Sequence, residues 1–304
     1  MELIKLSLNN ENKIPNDIVA CIGEFDGVHI AHQKLIEEVV SISKKKQLKS
    51  AIITFDPHPD FVLKKKNDFT YITPLKDKIS YVQSKYDLDY FIVINFSIEL
   101  SQLAYIDFYN MFLKPLDTVV IGFDFRFGYR GLGNGSVLKE LHDNVVVIEK
   151  IAINDEKIGS TNIIELLSNG KIQEVNRLLG RNYTLSGNVS LGSQIGNKIG
   201  YPTANIDIDE NYCLLKQGVY AVNVIVDNKK HLGIANYGYN PSFNQVVKPR
   251  LEVHIFEFNE DIYNKYIEVE FLENIREELK FNSIDEFLIQ IQKDCQYCIT
   301  KYGG

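Results

Sequence analysis

The stretch "IVACIGEFDGVHIAHQKLIEEVV", residues 18–40, joins an apolar run, a turn with two glycines and a segment with helical periodicity. Short continuous apolar runs are typical of strands that are buried on both faces of a sheet. After the turn, Leu35, Ile36, Val39 and Val40 recur at the spacing of one helix face. A buried strand followed directly by an amphipathic helix predicts a parallel α/β unit.

The same alternation continues to about residue 150. The further apolar runs are "SAIITF", "YFIVINF", "TVVIGF" and "VVVIEK". Between them, helical periodicity is found in "KDKISYVQSKY", "SQLAYIDFYNMFL" and "NGSVLKELHD". Right-handed crossovers then give a parallel sheet with helices on both faces. Ligands of such sheets bind at the carboxyl ends of strands, which is where the turn after residue 22 is expected.

The pattern changes after Lys150. "GSTNIIELLSNGKIQEVNRLLGRNY" predicts two short helices, broken at Asn169-Gly170 and stopped by Gly180. Strand-like runs follow: "YTLSGNVSLG", "GVYAVNVIV", "HLGIANYG", "RLEVHIFEF" and "KYIEVEFL". Asp227-Asn228 suits a hairpin turn between two of them. Closely spaced antiparallel strands predict a small β-barrel with a terminal amphipathic helix, so we place the domains at 1–180 and 181–304.

Composition excludes several classes of protein. The net charge of −7, without a long basic run, disfavours a nucleic-acid surface. No apolar run approaches ~20 residues and we expect no signal peptide, so a cytoplasmic protein without a membrane span is the simplest expectation. Cys295 and Cys298 form a CxxC, which a packed helix explains better than zinc or redox chemistry because no second pair accompanies it.

His29 and His32 are the first candidate site residues. They lie three apart near a helix start and so face the same way if the helix has begun. Gly23 and Gly27 permit a tight turn, and free amides with the helix dipole favour anions. A triphosphate cradle and a glycine-rich turn with one satisfied core histidine explain these residues equally well. A metal site is disfavoured because no further ligand pattern completes it.

Polar residues also follow the other strands of the predicted sheet. They are Asp56 and His58 in "ITFDPHP", Asp124 and Arg126 in "VIGFDFRFGYRGLGNG", and Ser160 and Thr161 in "GSTNIIELL". Each pair taken alone is better explained as part of a turn or as a helix cap than as a binding site. Their convergence at successive strand ends favours a site.

A second candidate site lies in the predicted barrel. "GSQIGNKIGYPTANIDI", residues 192–208, combines a glycine-spaced loop, which lets backbone amides approach phosphates, with Thr203 and Asn205. Their neutral oxygens suit a hard cation such as Mg²⁺, although these residues taken alone are better explained as a proline-led strand entry after a mobile loop. Glu252 and His254 share one strand face, where an exposed glutamate is the ordinary interpretation.

In chain order, "GEFDGVHIAH", "TFDPHP", "GFDFRFG" and "GSTNII" resemble the first-domain motifs of the bacterial bifunctional riboflavin kinase/FAD synthetase family. "IGYPTANI" and "RLEVHIF" resemble its riboflavin kinase motifs. The resemblance runs from about residue 15 to about residue 295. It implies a Rossmann-like nucleotidylyltransferase domain that adenylylates FMN, followed by a riboflavin kinase barrel.

The resemblance also implies roles for individual residues. His29 and His32 would hold the phosphates of ATP, Glu252 would be the general base for the riboflavin 5′-hydroxyl, and Thr203 and Asn205 would hold Mg²⁺. The implied nucleotide and flavin contacts are Gly23, Phe25, Asp26, Gly27, Asp56, His58, Asp124, Arg126, Gly128, Ser160, Thr161, Gly196, Lys198, Gly200, Pro202, Asn236 and Arg276. The expected partners are riboflavin, FMN and ATP, with neither nucleic acid nor a membrane.

Three positions depart from the family pattern. Ala31 stands for a glycine, Gly159 for a serine, and Ile164 for an arginine that would add a positive charge near the triphosphate. The kinase motifs are the better preserved set. Besides a bifunctional enzyme, two alternatives stay open: a chain with one live activity, and a flavin- or nucleotide-binding regulator without catalysis.

Overall fold

The computed structural model describes residues 1–8, 13–63, 69–153, 156–191, 200–208, 211–239 and 249–303. The chain divides into two compact units, Met1–Ser160 and Thr161–Gly304, which are described separately below. This division by compactness places residues 161–180 in the second unit. The boundary near residue 180 concerns functional domains and stays a prediction.

The first unit contains a six-stranded sheet in which every neighbouring pair is parallel. Its strands are β1 Glu2–Leu6, β2 Ile18–Ile22, β3 Lys49–Asp56, β4 Tyr90–Asn95, β5 Thr118–Gly122 and β8 Val145–Ile148. Between β5 and β8 the chain forms a separate short antiparallel pair, β6 Arg126–Phe127 and β7 Gly133–Asn134. A second short pair follows, β9 Ala152–Ile153 and β10 Glu156–Lys157. The order in the sheet is β1-β4-β3-β2-β5-β8, which confirms the predicted parallel α/β architecture.

Both faces of this sheet are covered. Ile18, Ala20 and Ile22 of β2 pack in one buried cluster, and Val19 and Cys21 pack in another. This alternation follows from the strand period of two and explains why β2 reads as a continuous apolar run. The helices of the unit are α1 Ile30–Lys46, α2 Pro59–Val62, α3 Leu75–Lys85, α4 Ile98–Ser101, α5 Tyr105–Phe108 and α6 Gly135–Leu141.

One predicted helix differs. Instead of a continuous helix over "SQLAYIDFYNMFL", α4 ends at Ser101, and α5 leads into a π-helical turn over Tyr109–Leu113. The carbonyl of Leu103 accepts a hydrogen bond from the Tyr129 amide at 2.7 Å. The Leu103 carbonyl thus bonds to a residue distant in sequence instead of to an amide of a continuing helix, at the point where the chain turns.

The second unit is a closed six-stranded antiparallel barrel, which confirms that prediction. Its strands are β11 Tyr183–Ser190, β12 Ala204–Asp207, β13 Gly218–Val226, β14 Lys229–Tyr239, β15 Pro249–Ile255 and β16 Tyr266–Arg276. Its helices are α7, which runs over Ser160–Ser168 from the last residue of the first unit, α8 Ile172–Leu179 and α9 Ile284–Tyr302. Asp227 and Asn228 have φ values of 49° and 63° between β13 and β14, so the predicted hairpin turn is confirmed.

Helix α9 packs on the barrel through its cysteines. Cys295 joins a buried cluster with Val219 and Ile234, and Cys298 Sγ lies 3.8 Å from the Gly233 carbonyl. Burial raises the pKa of the Cys295 thiol to about 11 and that of Cys298 to about 12. Both thiols are buried against the barrel, which agrees with the predicted role of this spacing in helix packing. Among the described residues, no helix is both long enough and apolar enough to span a membrane.

Asn176 connects α8 to the barrel. Its Nδ2 donates to the Phe271 carbonyl of β16 at 2.8 Å, and its Oδ1 accepts from the Tyr183 amide at the start of β11 at 2.7 Å. The side chain of Asn176 thus provides hydrogen-bond partners for one peptide carbonyl on β16 and one peptide amide on β11.

Replacing Asn176 by alanine should lower the free energy of unfolding of the barrel by about 1–3 kcal/mol, because both peptide groups lose their partner. Urea-dependent hydrogen exchange in β11 and β16 measures this change. The exposed Glu174 of the same helix is the matched control, and its alanine variant should change stability by less than about 0.5 kcal/mol. Equal effects of the two variants would contradict the role of Asn176.

Candidate functional site

The first site lies where the strand order reverses. From β2 the chain adds β3 and β4 on one side and then returns to place β5 on the other side. Such a reversal opens a crevice at the carboxyl ends of the two central strands. The residues after β2, the end of β3 at Asp56, and the loop after β5 with Asp124 therefore share this edge of the sheet.

The turn after β2 is held in an unusual backbone conformation. Phe25 and Gly27 have φ values of 51° and 75°, and the Phe25 ring is fully buried. Asp26 is buried beside it, and its Oδ1 accepts hydrogen bonds from the amides of Ile72 at 3.0 Å and Thr73 at 3.1 Å. Burial raises the pKa of Asp26, while Lys78 and these amides oppose the shift. Asp26 therefore anchors the turn.

The two histidines lie face to face at the start of α1. Their ring centroids are 3.6 Å apart, and the planes differ by 14°. His29 caps the helix because its Nδ1 accepts from the His32 amide at 3.4 Å. His32 Nδ1 is buried and has no hydrogen-bond partner among the described residues. Burial lowers the pKa of His32 well below 6.5, and His29 and Lys78 act in the same direction.

The neutral imidazole of His32 thus has an unsatisfied nitrogen, which is costly unless another group meets it. Gln33, the next residue, is tied to the Val28 carbonyl at 2.9 Å, so the start of α1 is rigid. The arrangement can accommodate a polar ligand group without reorganisation of the backbone.

His58 is held by Glu24. Its Nδ1 accepts from the Asp60 amide at 3.1 Å, so Nε2 carries the proton and meets Glu24 Oε2 at 2.6 Å. The ring stacks on Phe69 with centroids 4.1 Å apart. Asp56, two residues earlier, is half-buried, and burial raises its pKa. The structure brings both predicted residues of "ITFDPHP" to the edge that carries the histidine pair.

The remaining predicted residues of the first site differ in their surroundings. Asp124 and Arg126 are exposed, whereas Gly128, at φ 71°, has no room for a side chain because a Cβ would lie 2.4 Å from Tyr105 Cα. Ser160 Oγ donates to the Asp26 carbonyl at 3.4 Å, which joins it to the turn. Thr161 is exposed and belongs to the second unit. Gly23 has ordinary dihedral angles, and a Cβ there would touch the Phe25 ring at 3.4 Å.

Lys78 of α3 also belongs to this site, although the sequence patterns do not identify it. Its side chain is buried, and its Nζ donates to the Glu24 carbonyl at 2.7 Å. The one available signal was its spacing of four to Val82, the other fully buried residue of α3. A lysine on the buried face of a helix is uncommon unless it is paired.

The low pKa of His32 predicts a pH dependence of stability. The unfolded chain binds a proton at His32 below a pH of about 6.5 and the folded chain does not, so stability falls as the pH drops through this range, by up to about 1.4 kcal/mol per pH unit. Hydrogen exchange of α1 at successive pH values measures the loss.

The His32→Gln variant should lose part of this dependence, since it has no proton to take up. The control variant His231→Gln, in the barrel, should keep the dependence of the original chain. An identical pH dependence in the original chain and in the His32→Gln variant would contradict a lowered pKa.

The second site is a cavity of about 460 Å³ in the second unit. Thr203, Asn236, Glu252 and Arg276 are the predicted residues that line it. The strand register explains part of this grouping. On β15, Glu252 lies opposite Asn205 of β12 on one side and opposite Asn236 of β14 on the other. Directly paired residues share a sheet face, so the three polar side chains form a row.

Glu252 and the entry to β12 are held by neighbouring side chains. The Arg250 guanidinium forms an ion pair with Glu252 Oε1. His254, on the same strand face, donates from Nδ1 to the Pro202 carbonyl at 2.7 Å. Gly200 has a φ of 81°, and a Cβ there would meet no atom within 4 Å. Gly196 and Lys198, also predicted at this site, lie outside the described residues.

Arg276 lies in the cavity wall and forms an ion pair with Asp294. Its Nε donates to Asp294 Oδ2 at 2.8 Å, and its Nη1 donates to the Glu277 carbonyl at 2.9 Å. Asp294 belongs to α9, is buried, and also accepts from Gln290 at 2.8 Å. In the sequence, the one indication that Asp294 belongs to this site was its position next to Cys295, on the apolar face of the last helix.

A smaller cavity of about 260 Å³ shares Thr203 with the larger one. Apolar and aromatic side chains, including Val189 and Phe258, line it together with Asn259 and the acidic Glu260 and Asp261. Within the described ranges, no cluster of three or more His, Cys, Asp or Glu residues could hold a metal ion. The hydroxyl of Thr203 and the amide oxygen of Asn205, beside Glu252, are nonetheless of the donor type that Mg²⁺ accepts while it retains water ligands.

Two family models match this chain. One, described as FAD synthetase, matches residues 11–162, and the other, described as Riboflavin kinase, matches residues 179–301. The first match contains the crevice of the parallel sheet with its histidine pair. The second contains both cavities of the barrel.

Several curated relatives carry the name bifunctional riboflavin kinase/FMN adenylyltransferase. The protein of Buchnera aphidicola subsp. Schizaphis graminum is 40% identical over 99% of this chain and 99% of its own length. That of Listeria monocytogenes is 38% identical over 91% of this chain and 90% of its own, and that of Bacillus subtilis is 36% identical over 94% and 93%.

A solved crystal structure also matches, with a TM-score of 0.90 and 29% identity over 98% of this chain and 99% of that chain. It is described as a macrolide-efflux protein from Streptococcus pneumoniae. The match shows a shared fold over nearly the full length of both chains.

Proposed function

The chain belongs to the bifunctional riboflavin kinase/FMN adenylyltransferase family, and we propose that it catalyses both reactions. Riboflavin and ATP give FMN and ADP, and FMN and ATP then give FAD and pyrophosphate. The observation that carries this proposal is the presence of two separately assembled polar sites, one in each compact unit. We assign adenylyl transfer to residues 1–180 and phosphorylation to residues 181–304.

In the kinase reaction, Glu252 takes the proton of the riboflavin 5′-hydroxyl while this oxygen attacks the γ-phosphorus of ATP and ADP leaves. The row of Asn205, Glu252 and Asn236 supports this role because it puts a carboxylate between two amide side chains, and Glu252 and Asn236 line the cavity. A base needs to be held in place, and Arg250 does this for Glu252 before substrate binds.

The two cavities suit the two substrates. The larger one, with Glu252 and Arg276, has a volume appropriate for riboflavin, and the smaller one, with Phe258 and Tyr263 in its wall, is suited to the adenosine of ATP. Thr203 lies at both, so the transferred phosphoryl group passes near it. Thr203 and Asn205 would hold Mg²⁺, which neutralises phosphate charge. Gly196, Lys198, Gly200 and Pro202 complete the proposed nucleotide contacts.

In the adenylyl transfer, a phosphate oxygen of FMN attacks the α-phosphorus of ATP and pyrophosphate leaves. The nucleophile is already ionised, so the reaction depends on positioning and on charge stabilisation more than on a general base. His29 and His32 supply ring N–H donors for the phosphates from the start of α1. The neutral state of His32 means that it acts as a hydrogen-bond donor and not as a full charge.

The other residues at the strand ends contact nucleotide or flavin in this proposal. They are Gly23, Phe25, Asp26, Gly27, Asp56, His58, Asp124, Arg126, Gly128, Ser160 and Thr161. We place both reactions in the cytoplasm, and the four buried, free cysteines support a reducing compartment.

Chromatography of the products tests the proposal. The purified chain is supplied with ATP and Mg²⁺ and either riboflavin or FMN. We expect FMN and then FAD from riboflavin, and FAD from FMN. FMN without FAD would contradict the adenylyltransferase activity, and FAD from FMN alone would contradict the kinase activity. If neither product formed, a flavin- or nucleotide-binding role without catalysis would be the better account.

The Glu252→Gln variant should lose FMN formation by about a hundredfold or more while FAD formation from FMN continues at its original rate, because only the base is removed. The exposed Glu257 lies in the turn that follows the same strand, and its glutamine variant is the matched control. Equal loss of both activities in a folded Glu252→Gln variant would show that the two reactions do not have separate sites.

A further inference from the structure

Lys78 is a buried cation next to the first site, and neither reaction as described above uses it. Its residue is 3% exposed. The groups that interact with its charge come from several elements: Glu24 and Asp26 from the turn after β2, Asp56 from the end of β3, and His32 from α1. A lysine is buried at this depth at a considerable energetic cost, so its retention calls for partners or a function.

The contact that Lys78 makes is to the backbone of the turn. Its Nζ and the Thr54 hydroxyl both donate to the Glu24 carbonyl, at 2.7 Å and 2.9 Å. One carbonyl thus joins α3, β3 and the turn. The Glu24 side chain in turn holds His58. The segment from Glu24 to the histidine pair is held at its first residue by this hydrogen bond. Removal of the Lys78 amine would release the segment there.

The charge of Lys78 acts on the same segment. It opposes the rise in the pKa of Asp26 that burial causes, and Asp26 is also influenced by His58. It also contributes to the lowered pKa of His32. Burial lowers the pKa of Lys78 itself, and Asp26, Asp56 and Glu24 oppose this shift. An ammonium group in a low-dielectric environment exerts a stronger field than the same group on the surface.

We propose that Lys78 is a positioning residue for adenylyl transfer, which fixes the turn before the histidine pair through the Glu24 carbonyl and adds a buried positive charge to this turn. This inference rests on the proposed adenylyltransferase activity of the first unit. A preorganised positive charge near the phosphates stabilises the negative charge that develops on them without reorganisation during the reaction. Lys78 acts through the turn and through its field, without contact to the reacting atoms.

The Lys78→Met variant should form FAD from FMN with a kcat lowered by about tenfold to a hundredfold, the range expected when a hydrogen bond from a charged group is lost. The KM for FMN should change less. Riboflavin phosphorylation by the same chain should be unaffected. The exposed Lys44 of α1 gives the matched control, since Lys44→Met removes a lysine charge far along the same helix from the histidines and should leave FAD formation unchanged.

A second readout separates the electrostatic role from a structural one. Because Lys78 contributes to the low pKa of His32, the NMR titration of His32 should move to higher pH in Lys78→Met, and the acid limb of FAD formation should move with it. A wild-type rate of FAD formation in a folded Lys78→Met variant, or an unchanged His32 titration, would overturn the inference. If the original chain formed no FAD at all, the proposed function would fail, while the His32 titration would still test the field of Lys78.

The Lys78→Gln variant covers the case in which Lys78→Met does not fold, because glutamine retains an amide N–H donor for the Glu24 carbonyl without the positive charge. We expect this variant to fold, to show the raised His32 titration and to be slow in FAD formation. A folded Lys78→Gln variant with the original rate and an unchanged His32 titration would overturn the electrostatic role of Lys78.

Discussion

The parallel pairing of β2 with β3 on one side and with β5 on the other is the constraint on which the first site depends. It brings three strand ends to one edge, and the reversal of strand order leaves a crevice there. The turn with Glu24 and the histidine pair, the residue His58 after β3 and the loop of Asp124 are separated in sequence, and the strand pairing brings them to one edge. The turn between β2 and α1 then needs only local interactions, from Asp26 and Lys78, to hold its shape.

In the barrel, the register of the antiparallel strands brings the site residues together. Glu252 can lie between Asn205 and Asn236 only if β12, β15 and β14 pair as they do, since a shift of one residue would move the glutamate to the opposite face. Both sites therefore rest on fixed strand pairing. In the mechanism we propose, the two chemistries differ accordingly: the carboxylate of Glu252 in the barrel takes a proton, and the histidines at the edge of the sheet donate hydrogen bonds to phosphates.

Much of the fold could be predicted because buried strands and amphipathic helices carry periodic signals. The apolar run over β2 and the positive-φ hairpin at Asp227-Asn228 are examples. The helix expected over "SQLAYIDFYNMFL" was wrong in its continuity because the hydrogen bond to the Leu103 carbonyl comes from Tyr129, 26 residues later. No local periodicity reports a partner at that distance.

The same reason explains which site residues were missed. Lys78 reads as a solvated helix lysine, and its partner Glu24 lies 54 residues earlier in the sequence. Asp294 appears as one acidic residue on a helix, yet it holds Arg276 from the wall of the cavity. Predicted residues such as His29, His32 and Glu252 lie in motifs, whereas the residues that orient them are dispersed through the chain.

The central claim is that one chain contains two independent sites that share only the diffusible product FMN. The most direct measurement combines two variants in one vessel, Glu252→Gln and His32→Gln, with riboflavin, ATP and Mg²⁺. Each variant alone should form little or no FAD from riboflavin, and the mixture should form FAD because FMN released by one chain is adenylylated by the other. A mixture that forms no more FAD than either variant alone would contradict the account.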